Sequence, residues 1–209
     1  MSELLTVADY EFKFIAGSPC LDFLNTLGGR FAAAPNEHLT QYADLVEWLE
    51  TGGLASSEAG AGLRRLADRD KTEAHTVLSR AIALREALYR VFTAAAANTA
   101  PQASDLLLLN EELVGALVRR RLVLSEAGFE MGWSDEGADL AEPLRPVVLS
   151  AAELLTSGAV RRVKSCASDT CAWVFVDESR NKSRQWCQME VCGNRAKARR
   201  HYAKSRPAR

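Results

Sequence analysis

Residues 166–192 read CASDTCAWVFVDESRNKSRQWCQMEVC, a stretch framed by two pairs of cysteines. Four residues separate Cys166 from Cys171, four separate Cys187 from Cys192, and fifteen lie between the pairs. The chain opens MSELLTVADYEF, with three acids and no basic leader region. That opening argues against a secretory or mitochondrial signal and leads us to expect a cytoplasmic protein. Structural disulfides are rare in a reducing compartment, so the two pairs read as four thiolate ligands. Zinc is the expected cofactor because it accepts four sulfurs in a closed tetrahedral shell. Four thiolates also suit an iron–sulfur cluster, which is the alternative. A closed shell leaves no open position for a reactive water, so the metal is expected to be structural. Cys20, in SPCLDFLNTL, has no partner in sequence and reads as a buried, inert thiol.

Between the pairs, Trp173 to Val176 alternate in the manner of a short strand, and DESRNKSR forms a polar turn presenting Arg180, Lys182 and Arg184. After Cys192, Gly193 offers an open backbone and Asn194 a helix cap. The helix that follows carries Arg195, Lys197, Arg199, Arg200 and Lys204. Its charge suits a phosphate-tracking or major-groove element. A unit this small is expected to lack a core of its own and to draw its folding energy from metal.

The 209 residues are 47% apolar and 25% charged, ordinary values for a globular chain, and no apolar run is long enough to span a membrane. The net charge of −1 conceals a strong asymmetry. Residues 161–209 hold thirteen Lys and Arg against four Asp and Glu, whereas residues 1–160 hold thirteen against twenty-three. Such a division suggests two parts with different partners, the basic one facing a polyanion. A solvated tail, or one resting on its own acidic body, is the plainer alternative.

The stretch CASDTCAWVFVDESRNKSRQWCQMEVCGNRAKARRHYAK resembles the CGNR zinc finger, whose name corresponds here to Cys192, Gly193, Asn194 and Arg195. In that family the preceding region is usually an ABATE domain, an α/β domain of stress-induced transcriptional regulators. CLDFLNTLGGR (20–30) resembles the opening motif of that domain, and ALREALYRVF (83–92) its central helix. The resemblance implies a zinc-containing regulator that binds DNA through the finger.

Outside the finger the sequence is mostly helical. YEFKFIA (10–16) alternates weakly and suggests an early strand, and CLDFLNTL a short helix with Leu21, Leu24 and Phe23 facing inward. Residues 28–38 read as a loop. Tyr42, Leu45, Val46 and Leu49 share one helical face that ends at Gly52-Gly53, and residues 56–68 form a second helix. The clearest helix runs from about residue 72 to 98, with Val77, Ala81, Leu84, Leu88 and Val91 in one stripe. Ser104 is a candidate cap for the next helix, residues 121–134 read as a hairpin, and Leu144 to Leu155 as a final helix. The expected fold is therefore α+β and mainly helical. A helical N-terminal domain with a small β-hairpin (1–160) precedes a small zinc finger with a basic helix (161–209).

Asn25 and Arg85 are polar groups set among apolar neighbours. They are either satisfied core hydrogen bonds or anchors for a small-molecule effector. No nucleophile motif, metalloprotease motif or phosphate loop is present, and a non-enzymatic role is expected. Three readings of the finger follow. It binds DNA, with Asn194, Arg195 or Arg199 reaching bases; it binds RNA, with Trp173, Phe175 and Trp186 stacking on unpaired bases; or it docks on protein. Buried rings would remove the best feature of the RNA reading. DNA is the partner preferred, with a homodimer expected by analogy with other symmetric regulators.

Overall fold

The structure, a computed structural model, describes residues 10–126, 128–134 and 139–205. Seven α-helices are described: α1 (Pro19–Leu24), α2 (Tyr42–Thr51), α3 (Ser57–Arg69), α4 (Lys71–Ala96), α5 (Ala103–Leu117), α6 (Leu144–Thr156) and α7 (Asn194–Ser205). Three antiparallel two-stranded ladders accompany them: β1 (Leu27–Gly28) with β2 (Asn36–Glu37), β3 (Arg120–Ser125) with β4 (Gly128–Trp133), and β5 (Val163–Ser165) with β6 (Val174–Val176). The fold is mainly helical α+β. None of the described helices is long and apolar enough to cross a membrane.

Local chemistry sets the helix limits. The Asp44 carboxylate accepts from the Gln41 amide at 3.0 Å while the Gln41 side chain accepts from the Asp44 amide, a reciprocal box that opens α2. Gly53, at φ +67°, closes it in a conformation that suits glycine. Ser56 caps α3 and Asp70 caps α4 through the amides of Ala59 and Glu73. Along α4 the stripe from Val77 to Val91 is buried throughout, which fixes this helix as the spine of the core. Trp48 fills the space beside it, edge-on to Phe23 with ring centroids 5.2 Å apart.

Three expectations change. Residues 10–15 form no strand: their segment is pinned instead by Asp22, whose carboxylate accepts from the Ile15 and Ala16 amides at 2.9 Å. Only the Ala16 carbonyl meets a strand, accepting from Val176, and one such bond makes no ladder. Ser104 does not cap α5, because the helix already begins at Ala103 after an extended Gln102. The 28–38 loop contains the short β1–β2 ladder, which turns Glu37 toward the long helix.

The larger correction concerns the finger. Val174, Phe175 and Val176 are all buried, so the strand does not alternate between core and solvent. They belong to one continuous apolar cluster with Leu21, Phe23 and Trp48. The finger thus shares the core of the helical body. Burying each such side chain is worth roughly 1.5–3 kcal/mol, enough to offset about 1–2 kcal/mol of backbone ordering per residue. Asn25 locks the junction. Its amide donates to the Val174 carbonyl and its carbonyl accepts from the Val174 amide, both at 3.0 Å, so that a side chain takes the place of a neighbouring strand.

Asn25→Ala would leave both Val174 backbone groups buried and unpaired. It should cost about 3 kcal/mol in chemical denaturation. A change below about 0.5 kcal/mol, the usual size for a surface substitution, would remove Asn25 as the lock.

Candidate metal centre and nucleic-acid interface

Two knuckles present the cysteines. The first leaves β5 at Cys166, whose amide donates to the Trp173 carbonyl at 2.7 Å, and tightens where the Cys171 amide donates to Ser168 at 3.2 Å. Ala172, at φ +60°, turns the chain back into β6. The second knuckle, Cys187 to Cys192, ends in a π-helical turn (Met189–Gly193) that runs straight into α7. A Cβ on Gly193 would press on the Met189 side chain and lie 3.2 Å from Trp186, so the backbone there approaches its neighbours closely.

The four sulfurs lie within 4.8 Å of one another, with Cys171–Cys187 at 3.6 Å and Cys187–Cys192 at 3.7 Å. Tetrahedral zinc with bonds near 2.3 Å requires sulfur–sulfur edges of about 3.8 Å, and the Cys171–Cys187 and Cys187–Cys192 edges lie close to that. The distances are far too long for a disulfide, and the cysteines are free. An iron–sulfur cluster would hold its thiolates farther apart, because several atoms intervene. Three of the cysteines are buried and Cys171 is half-buried, as a closed structural site demands. Amides of Cys187 and Ser168 donate to the Cys166 sulfur, and that of Trp173 to Cys171. Hydrogen bonds from Cys171 and Cys187 pull the Cys166 thiol well below its ordinary value. The same bonding to Cys166 pushes Cys171 and Cys187 above theirs. Four thiolates packed this tightly repel, and a divalent cation is what allows them all to ionise. Cys20, remote from this cluster, is buried, and burial raises its thiol to about 11.

Residues 17–158 match the ABATE family, described as "Putative stress-induced transcription regulator", and residues 162–205 match the CGNR zinc finger. The chain belongs to the ABATE family and carries a CGNR zinc finger after it. No curated protein matches the chain. The CGNR finger explains the cofactor: Cys166, Cys171, Cys187 and Cys192 are the zinc site.

The basic residues divide into two groups. Arg184 is committed to the finger's own structure, contrary to its reading as a nucleic-acid contact. Its guanidinium donates to the carbonyls of Trp186 (3.0 Å), Cys187 (2.5 Å) and Ile15 (3.3 Å), and lies 4.2 Å above the Phe175 ring. A nearby hub missed in sequence is Asp177. Its buried carboxylate accepts from Lys164 Nζ (2.6 Å), from the Ser179 amide (3.0 Å) and hydroxyl (2.6 Å), and from the Arg184 amide (3.1 Å). The Lys164 bond holds that carboxyl well below its usual range. Arg180 and Lys182 remain exposed on the turn.

On α7, Arg195, Lys197, Arg199 and Arg200 are exposed, and Ala196 alone is buried among residues 194–202. Asn194 does not cap this helix: it is already helical, and its amide donates to the Glu190 carbonyl at 3.0 Å. Arg199 reaches back to Asp169 on the first knuckle at 2.9 Å, tying helix to metal site. Phe175 is buried, and Trp173 and Trp186 are half-buried against the core.

Asn25 and Arg85 are both engaged within the protein, the satisfied-core alternative. Arg85 makes a two-point bond to Glu37 (2.6 and 2.5 Å) and reaches Glu86 and Thr26. Burial pushes the Glu37 carboxyl up, yet the Arg85 bonds hold it below its ordinary value. Arg30 extends this network, bonding Glu86 and lying 4.0 Å above the Tyr89 ring.

Elemental analysis of the purified protein should find about one zinc per chain, and Cys187→Ser should lose it under mild chelation. Iron in place of zinc, or full zinc retention by the variant, would contradict the assignment.

Proposed function

We propose that the protein binds duplex DNA through α7 and the turn at residues 179–183, with the CGNR finger as the rigid mount. The observation that carries this reading is the exposure of a strongly basic helix that starts at the metal cluster itself. Twelve residues of α-helix extend roughly 18 Å, a length suited to the major groove, about 12 Å wide. Arg195, Lys197 and Arg200 line that helix, while Arg180 and Lys182, exposed on the turn, would supply phosphate contacts. The Arg199–Asp169 pair is exposed on both sides, so it gives way readily to a phosphate oxygen. Asn194 is exposed at the helix start, and its side-chain carbonyl would serve as an acceptor for a base amino group.

The alternative of RNA binding by stacking is weakened by the burial of Phe175 and the packing of both tryptophans. Docking on an acidic protein surface remains the alternative for a basic helix, and competition by duplex DNA separates the two. The N-terminal ABATE region is read as a dimerisation module in a non-enzymatic regulator. The engagement of Asn25 and Arg85 with the protein's own groups removes the side chains on which an effector role was read.

The zinc-loaded protein should prefer duplex DNA to single strands and structured RNA, with affinity falling steeply as salt rises. Lys197→Ala and Arg200→Ala should each reduce the salt slope by about 1, and Arg184→Lys should impair zinc retention instead. Preference for RNA, or a salt slope unchanged in both α7 variants, would overturn the assignment.

A further inference from the structure

The largest unexplained surface lies away from the finger. Nine large apolar residues between positions 106 and 131 are 39–77% exposed. On the hairpin, the register pairs Leu122 with Met131 and Leu124 with Phe129, which places all four on one face of the ribbon. On α5, Leu107 and Val114 stand out in a stripe seven residues apart, and two residues link that helix to β3. Among the described residues β3 and β4 pair only with each other, leaving both ribbon edges without a neighbouring strand. A two-stranded ribbon is at best marginal in water, and an open apolar edge invites another chain.

We propose that α5 and the β3–β4 hairpin form the surface on which two copies of this chain pair. Size favours this. Nine large apolar side chains at this exposure present several hundred Å² in sum. That is at the upper end of the roughly 300–600 Å² patch of a typical monomer and approaches the roughly 800 Å² per partner of a stable interface. Charge favours a second copy over a different occupant. The chain is acidic up to residue 160 and basic beyond it, and either kind of charged partner would be drawn to those regions. Near this patch, however, charges of both signs occur: Glu111 and Glu126 are exposed, and Arg120 shares the ribbon face of Leu122 and Leu124. A balanced border does not repel its own image, and a two-fold axis brings the same patch onto itself. The pairing would also present two fingers at once, as a two-part DNA site requires.

This inference supplies the surface for the dimerisation read above. Its test contains no nucleic acid, so its failure leaves the DNA reading intact. The full-length, zinc-loaded protein is run in sedimentation equilibrium at micromolar concentrations. The expected mass is twice the 22.9 kDa of one chain. Leu124→Glu with Phe129→Glu should weaken pairing by at least ~100-fold. Leu107→Glu with Val114→Glu, on the helix, should do the same. Zinc content and circular dichroism should be unchanged in both, since these side chains are exposed. A monomeric wild-type protein, or a dimer unaffected by both double variants, would overturn the proposal. So would a monomer that forms a stable complex with some other chain through this patch.

Discussion

Four sulfurs within 4.8 Å of one another cannot all be thiolates unless a cation sits among them, and much of the chain is arranged around that requirement. The zinc draws together two knuckles that are far apart in sequence. The first knuckle continues into β6, whose three buried side chains belong to the core of the helical body. The second continues through the π-helical turn into α7. The four-cysteine site therefore stands between the apolar core and the basic helix, and zinc held there would fix the second relative to the first.

Around the metal, polar groups are spent on holding backbone. Asn25 serves Val174 as a surrogate strand, Asp177 gathers the turn after β6, and Arg184 bonds three carbonyls, one of them Ile15 in the N-terminal region. Each is a buried or half-buried group that holds main-chain atoms, and Asp177 also binds the Lys164 ammonium and the Ser179 hydroxyl. Such groups are costly to leave unpaired, and together they discourage the finger from moving independently of the body. The exposed bases Arg180 and Lys182 lie on the turn at residues 179–183, and Arg195, Lys197, Arg199 and Arg200 on α7. Structure and charge are thus separated: inward-facing polar residues fix the finger, and outward-facing ones remain for a polyanion.

Much of this was legible in the sequence, because it depends on local spacing. The cysteine pairs announced the metal, the step of Val77, Ala81, Leu84, Leu88 and Val91 announced α4, and the alternation around Gly128 announced the hairpin. What could not be read depended on contacts across the chain. Asn25 and Val174 lie 149 residues apart, and only the oddity of a polar residue in an apolar motif signalled Asn25. Arg184 looked like its basic neighbours, and nothing local distinguished a guanidinium stacked on Phe175 from one facing solvent. YEFKFIA alternates like a strand yet finds no edge to pair with, because Asp22 takes its amides first. Phe175 was read as a ring that could stack on unpaired bases, and instead it joins a cluster built mostly by residues before 160.

The central claim is that metal site and helical body form one cooperative unit. The most direct test follows unfolding of the full chain with and without zinc by hydrogen exchange, at Val77–Leu88 of α4 for the body and at Val174–Val176 for the finger. The two probes should report a single transition in the zinc-loaded protein, and chelation should lower the stability of both together. A body that unfolds at the same denaturant concentration whether or not zinc is present would contradict this account, and would make the finger a separate module.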